Sequence, residues 1–170
     1  NDFVSLHLTM HKTISPIKIV QKPKLVIQIL CYNEAETLPT VLAELPRSID
    51  GVASVEVLVV DDGSSDGTAE VAAKLGVNHI VQHRINRGVA AAFQSGLEAS
   101  LAAGADIIVN TDGDNQYPGS QIPTLIAPIL ERRTNIVIGD RQTHQVAHFS
   151  GVKKWLQRFG SSVVGFAAGM

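Results

Sequence analysis

From Lys24 onward, short continuous apolar segments alternate with segments whose apolar positions recur every three or four residues. Leu25 to Cys31 is broken only by Gln28, which predicts a strand covered on both faces. Leu38, Val41, Leu42 and Leu45 then recur at helical spacing. Asn33, with Glu36 three residues on, reads as the N-cap and capping box of that helix. Pro39 is tolerable near its first turn, and Pro46 ends it. Val55 to Val60 predicts a second buried strand, and a short helix follows with Val71 and Leu75 on its apolar face, stopped at Gly76. His79 to Val81 predicts a third strand. Gly88 to Ala103 predicts an Ala-rich helix with Val89, Phe93, Leu97 and Leu101 in one apolar stripe, of the kind that faces a core. Ala105 to Asn110 predicts a fourth buried strand. A helix around Ile122, Leu125, Ile126, Ile129 and Leu130, a short β-branched strand from Thr134 to Gly139, and a helix from Phe149 onward complete the pattern. Strands and helices alternating with short loops predict an α/β fold: a mainly parallel central sheet with helices on both faces.

Residues 1–23 show no clean period and read as a peripheral arm. Residues 24–170 then form one domain, long enough for a real core. The last eight residues are still apolar, so the expectation is a domain incomplete at its C-terminus, and a first residue other than Met suggests a processed, cloned or incomplete product. With 45% hydrophobic and 18% charged residues, the composition is that of an ordinary globular chain. A net charge of -2 leaves no basic footprint for nucleic acid. The single cysteine, Cys31, forms no internal disulfide and reads as a small buried hydrophobe, in keeping with a reducing, cytoplasmic setting. No apolar run approaches the roughly 20 residues needed to span a bilayer.

The polar residues with chemical potential cluster where strands end. Asp112 and Asp114 stand one residue apart after the fourth strand; i and i+2 of an extended chain point the same way, and two convergent carboxylates suit a hard divalent cation. Gln116 offers a further oxygen. Against this stands an ordinary Asp-rich surface turn. Asp61 and Asp62 end the second strand. Ser65, Asp66 and Thr68 suffice to cap the next helix, which leaves the two carboxylates to accept bonds from a base or a ribose. Tyr32 could stack on a base and Glu34 could hold a ribose, although Asn33 as a cap beside an exposed Glu is the plainer reading. Arg87 opens the Ala-rich helix, where an anion or solvent are equal alternatives. Arg141 could clamp a phosphate or pair with Asp140. In open α/β sheets, ligands bind beyond the carboxyl ends of strands, so polar loops sharing that edge count for more together than singly.

Tyr32-Asn33-Glu34, Val59-Val60-Asp61-Asp62-Gly63-Ser64-Ser65-Asp66-Gly67-Thr68, Asn86-Arg87-Gly88 and Asp112-Gly113-Asp114-Asn115-Gln116-Tyr117-Pro118 together resemble family 2 glycosyltransferases. Within them, the chain is similar to the polyprenyl-phosphate sugar transferases of the dolichyl-phosphate mannosyltransferase type. The resemblance covers Lys24 to about Arg141 and implies a GT-A (Rossmann-like) three-layer sandwich. It implies a nucleotide-diphosphate sugar as donor, of GDP-mannose or UDP-glucose type, and a divalent cation, Mg2+ or Mn2+. Donor contacts would fall on Tyr32, Glu34, Asp61, Asp62 and Arg87. Metal and diphosphate contacts would fall on Asp112, Asp114 and Gln116, and Asp114 and Arg141 would carry the catalytic roles. The acceptor would be a polyprenyl phosphate or a glycan, placing the protein in cell-envelope glycan biosynthesis at the cytoplasmic face of the membrane.

The chain departs from the family pattern at Leu30-Cys31, at Asp140 and at Gly119, and the resemblance implies an acceptor-site segment that would lie beyond Met170. Lys153, Lys154 and Arg158 beside Trp155 and Phe159 fit an interfacial helix touching the membrane, but an ordinary surface helix is the simpler reading. Two rivals stand beside sugar transfer. One is a sugar-nucleotide-binding module without turnover. The other is a sugar-nucleotidyltransferase, disfavoured because the loop after the first strand is acidic rather than Gly-rich and basic.

Overall fold

The computed structural model describes residues 22–139. Its elements run β1 (Lys24–Cys31), α1 (Leu38–Glu44), β2 (Ser54–Asp61), α2 (Thr68–Lys74), β3 (His79–Gln82), α3 (Val89–Ala102), β4 (Ile107–Asp112), a 3-10 turn (Gly119–Gln121) and α4 (Ile122–Leu130). The chain divides into two compact units between Thr124 and Leu125, within α4. The first unit holds a four-stranded parallel sheet in the order β3-β2-β1-β4.

This order follows from the connections. β1 to β2 to β3 steps outward in one direction, whereas β3 to β4 returns across both inner strands. Parallel crossovers are right-handed, so reversing direction moves the crossing helix to the other face. α1 and α2 therefore cover one face and α3 the other, giving three layers. β1 lies in the middle and is buried on both faces: Leu25, Val26, Ile27, Gln28 and Ile29 are fully buried. This explains why its sequence is a continuous apolar run rather than an alternation.

Three sequence expectations change. The stripe of Val89, Phe93, Leu97 and Leu101 faces away from the sheet, with Val89 72% and Leu101 60% exposed. α3 packs instead through Ala92, Gly96 and Ser100. The helix lies so close to the sheet that a Cβ at Gly96 would come within 2.8 Å of Gln28 Oε1 and 2.9 Å of Val60 Cγ2. Small residues permit that approach, and helical period alone does not say which stripe makes it. Second, residues 134–139 form no strand and pair with nothing among the described residues, and Ile138 is 88% exposed. β-branched composition favours extension, but a strand also needs a partner. Third, α1 starts at Leu38 with Thr37 at its N-cap. Asn33, at φ +57°, lies in the preceding turn and bonds across to another loop. The helix expected from Phe149 onward lies outside the described residues.

Candidate active site at the carboxyl edge of the sheet

The strand ends are aligned in register: Cys31 opposite Asp61, Asp61 opposite Gln82, and Leu30 opposite Asp112. The ladder continues one residue into each loop. Asp62 N–H donates to Cys31 O (2.9 Å), His83 N–H to Asp61 O (2.9 Å) and Gly113 N–H to Leu30 O (3.0 Å). Tyr32, Asp62, His83 and Gly113 thus leave the sheet along one edge, and the side chains that follow them share one place.

The first two loops are tied to each other. Asn33 N–H donates to Ser64 Oγ (2.8 Å) while Asn33 Oδ1 accepts Ser65 N–H (2.9 Å). Glu34 N–H donates to Thr68 Oγ1 (2.9 Å), and Ala35 N–H to Asp66 Oδ2 (2.9 Å). A hydrogen bond from Thr68 is the main reason the Asp66 carboxyl is held below the usual aspartate range.

Asp61 and Asp62, which no helix cap explained, are accounted for by this network. Asp61, 1% exposed, accepts Ser64 N–H at Oδ1 (2.9 Å) and Gln82 Nε2 at Oδ2 (3.2 Å). Asp62, 4% exposed, meets His83 Nδ1 (2.6 Å) and Arg87 N–H (2.9 Å) at Oδ1, and Gly88 N–H (2.8 Å) at Oδ2. Burial alone would raise the Asp62 carboxyl, but the bonds from His83, Arg87 and Gly88 outweigh it and hold the group below its ordinary value. The two carboxylates form the floor of the edge, joining β2, β3 and the start of α3. His83, absent from the sequence reading, is central to that floor: its Nε2 also meets Ser95 Oγ on α3 (2.9 Å). Its position just past the third strand, at the shared edge, was the available signal. Because the N–H groups of Arg87 and Gly88 serve Asp62, an anion at this turn would be met by the exposed Arg87 side chain rather than by those two backbone groups.

On the other side, Asp112 is the last residue of β4 and Asp114 lies in the turn after it, not in extended chain. The pleat of an extended strand, on which the expected convergence rested, therefore does not carry from Asp112 to Asp114, because the turn at Gly113 lies between them. Asp114 Oδ1 accepts Gln116 N–H (3.1 Å), closing a local turn around Asn115 at φ +57°. Among the described residues, no three His, Cys, Asp or Glu side chains converge as a metal cage. The charge here is nonetheless strongly negative. Cys31 is pushed up to about 12, first by burial and then by the carboxylates of Glu34, Asp61, Asp112 and Asp66. Two partly exposed carboxylates in a negative field suit a hard cation that completes its shell with diphosphate and water oxygens. Tyr32 stands at the same edge with 51% of its surface exposed, open for stacking. Arg141 lies outside the described residues.

The sequence profile described as glycosyl transferase family 2 matches residues 26–163. The chain belongs to glycosyl transferase family 2. Family 2 relatives include the undecaprenyl-phosphate mannosyltransferase of Micrococcus luteus, 34% identical over 115 residues, covering 65% of this chain and 45% of the relative. Another is the dolichyl-phosphate hexose transferase of Haloferax volcanii, 37% identical over 113 residues, covering 66% and 45%. The chain spans about half the length of the curated relatives it matches. Among solved structures, the glucosyl-3-phosphoglycerate synthase of Mycobacterium tuberculosis with bound uridine diphosphate matches with a TM-score of 0.51 and 27% identity, over 64% of this chain and 40% of that one. The sheet is thus that of a GT-A glycosyltransferase.

Proposed function

We propose that this chain carries the donor half of an inverting glycosyltransferase that moves a hexose from a nucleoside-diphosphate sugar to a polyprenyl phosphate. The observation that carries the reading is the alignment of strand ends, which gathers Tyr32, Glu34, Asp62, Asp112 and Asp114 at one edge. Tyr32 stacks on the base, and Glu34 accepts from the ribose. Asp61 and Asp62 shape the floor beneath them, and Arg87 lies toward the phosphates. Asp112 and Asp114, with the amide oxygen of Gln116, would hold Mg2+ or Mn2+. Such a cation supplies Lewis-acid neutralisation of the departing diphosphate. Arg141 would add a positive charge to a phosphate.

A lipid-phosphate acceptor brings an oxygen already ionised near neutral pH, so the attack needs no strong general base. What the protein contributes is orientation and fixed charge at the leaving group. The names of the Micrococcus and Haloferax relatives support this acceptor class, and uridine diphosphate on the mycobacterial synthase supports a nucleotide donor. A lipid-phosphate acceptor together with a nucleotide-sugar donor would put the transfer at the cytoplasmic membrane face. No helix among the described residues is long and apolar enough to cross a membrane.

The test is transfer of radiolabelled hexose from GDP-mannose or UDP-glucose to undecaprenyl phosphate, read as labelled lipid. Lipid product that disappears with Asp114→Ala supports the reading. Donor binding without product would instead leave a nucleotide-binding module.

A further inference from the structure

Thr37 occupies the N-cap of α1, where a threonine hydroxyl ordinarily accepts an N–H of the first turn. Here it makes no such bond. Thr37 Oγ1 lies 2.8 Å from the carbonyl oxygen of Gly113 and 3.3 Å from that of Glu34, and it also contacts Glu34 Oε2. A hydroxyl has one hydrogen, so these three acceptors compete for a single proton. Gly113 is enclosed at the same point: a Cβ there would come within 2.8 Å of Cys31 Sγ and 3.2 Å of Glu34 Cγ. Asp112 is held in β4 opposite Leu30, and the Gly113 carbonyl belongs to the peptide that leads into Asp114, so the direction of that peptide sets where Asp114 stands relative to Asp112.

We infer that Thr37 is a positioning residue that couples the Glu34 side of the donor site to the Asp112–Asp114 loop through its one hydroxyl proton. While Glu34 is free, its carboxylate draws that proton. A donor hydroxyl bound to Glu34 competes for the carboxylate, the Thr37 O–H turns to the Gly113 carbonyl, and the loop is fixed for cation and diphosphate. The inference rests on the donor-site reading above, in which Glu34 meets the nucleoside and the Asp pair the diphosphate.

Thr37→Val keeps the side-chain shape and removes the proton; Thr37→Ser keeps the hydroxyl. The measurement is calorimetric affinity for UDP and GDP with and without Mn2+, on the parent chain and both variants. In the parent and in Thr37→Ser, Mn2+ tightens the preferred nucleotide about tenfold or more. In Thr37→Val the tightening falls to within about threefold. Amide exchange across residues 113–117 becomes faster in Thr37→Val alone. Full Mn2+ tightening in Thr37→Val, or its loss in Thr37→Ser as well, overturns the coupling while leaving the donor site standing. A parent chain that binds neither nucleotide overturns the donor-site reading and the coupling together.

Discussion

Replacing Asp62 with asparagine tests whether the floor of the edge is held as described. The wild-type carboxylate presents two oxygens to three donors: His83 Nδ1 and Arg87 N–H on one, Gly88 N–H on the other. An amide has a single acceptor oxygen. Whichever way the substituted amide turns, its NH2 group faces at least one donor. A buried donor left unmet costs about 1–3 kcal/mol, and a hydrogen bond to a charged partner is worth about 1.5–3 kcal/mol. The expected loss is about 2–4 kcal/mol, which at a urea slope of about 2 kcal/mol per molar moves the midpoint down by about 1–2 M. The pH dependence is a second, independent readout. The Asp62 carboxyl is held below its ordinary value in the folded chain, so the unfolded chain takes up its proton first as pH falls. Its stabilisation is therefore complete above the unfolded value, about 3.9, and is lost as pH drops through the lower folded value. The gap between wild type and Asp62→Asn should narrow below about pH 4. A gap under about 0.5 kcal/mol at pH 7, or one that widens as pH falls below about 4, refutes the reading of Asp62 as a buried, ionised strut.

Two further substitutions address α3. Gly96→Ala forces a methyl against Gln28 and Val60 and should destabilise by about 1–3 kcal/mol in urea unfolding, whereas Leu101→Ala, on the exposed stripe, should stay within about 0.5 kcal/mol. The reverse order would mean that the stripe, not the small-residue face, meets the sheet. With its thiol pushed up to about 12, Cys31 should react with iodoacetamide at pH 8 on the order of a thousandfold more slowly in the folded chain than in urea. Equal rates would show that the thiol is neither buried nor surrounded by carboxylates.

The fold was largely legible because its central strands are buried on both faces. Leu25 to Cys31 and Val55 to Val60 are apolar but for Gln28 and Glu56, and such runs stand out in a sequence. The packing of α3 was not legible, since a helical period marks both the Val89 stripe and the Ala92–Gly96–Ser100 face without ranking them by closeness of approach. The site divided in a similar way. Tyr32, Asp112 and Asp114 could be placed because each stands at a strand end or within two residues of it. The partners of Asp62 lie at positions 83, 87 and 88, and that of Thr37 at 113; both pairings depend on register between strands. Local pattern also placed the N-cap of α1 at Asn33, because nothing in the local sequence shows that its side chain reaches Ser65 instead.

The donor site itself is the central claim, and calorimetric titration of this chain with UDP- and GDP-sugars, with and without Mn2+, tests it most directly. The account predicts saturable binding of one of the two, tightened by Mn2+ and losing that tightening in Asp114→Ala. No binding of either sugar nucleotide under either condition would contradict it.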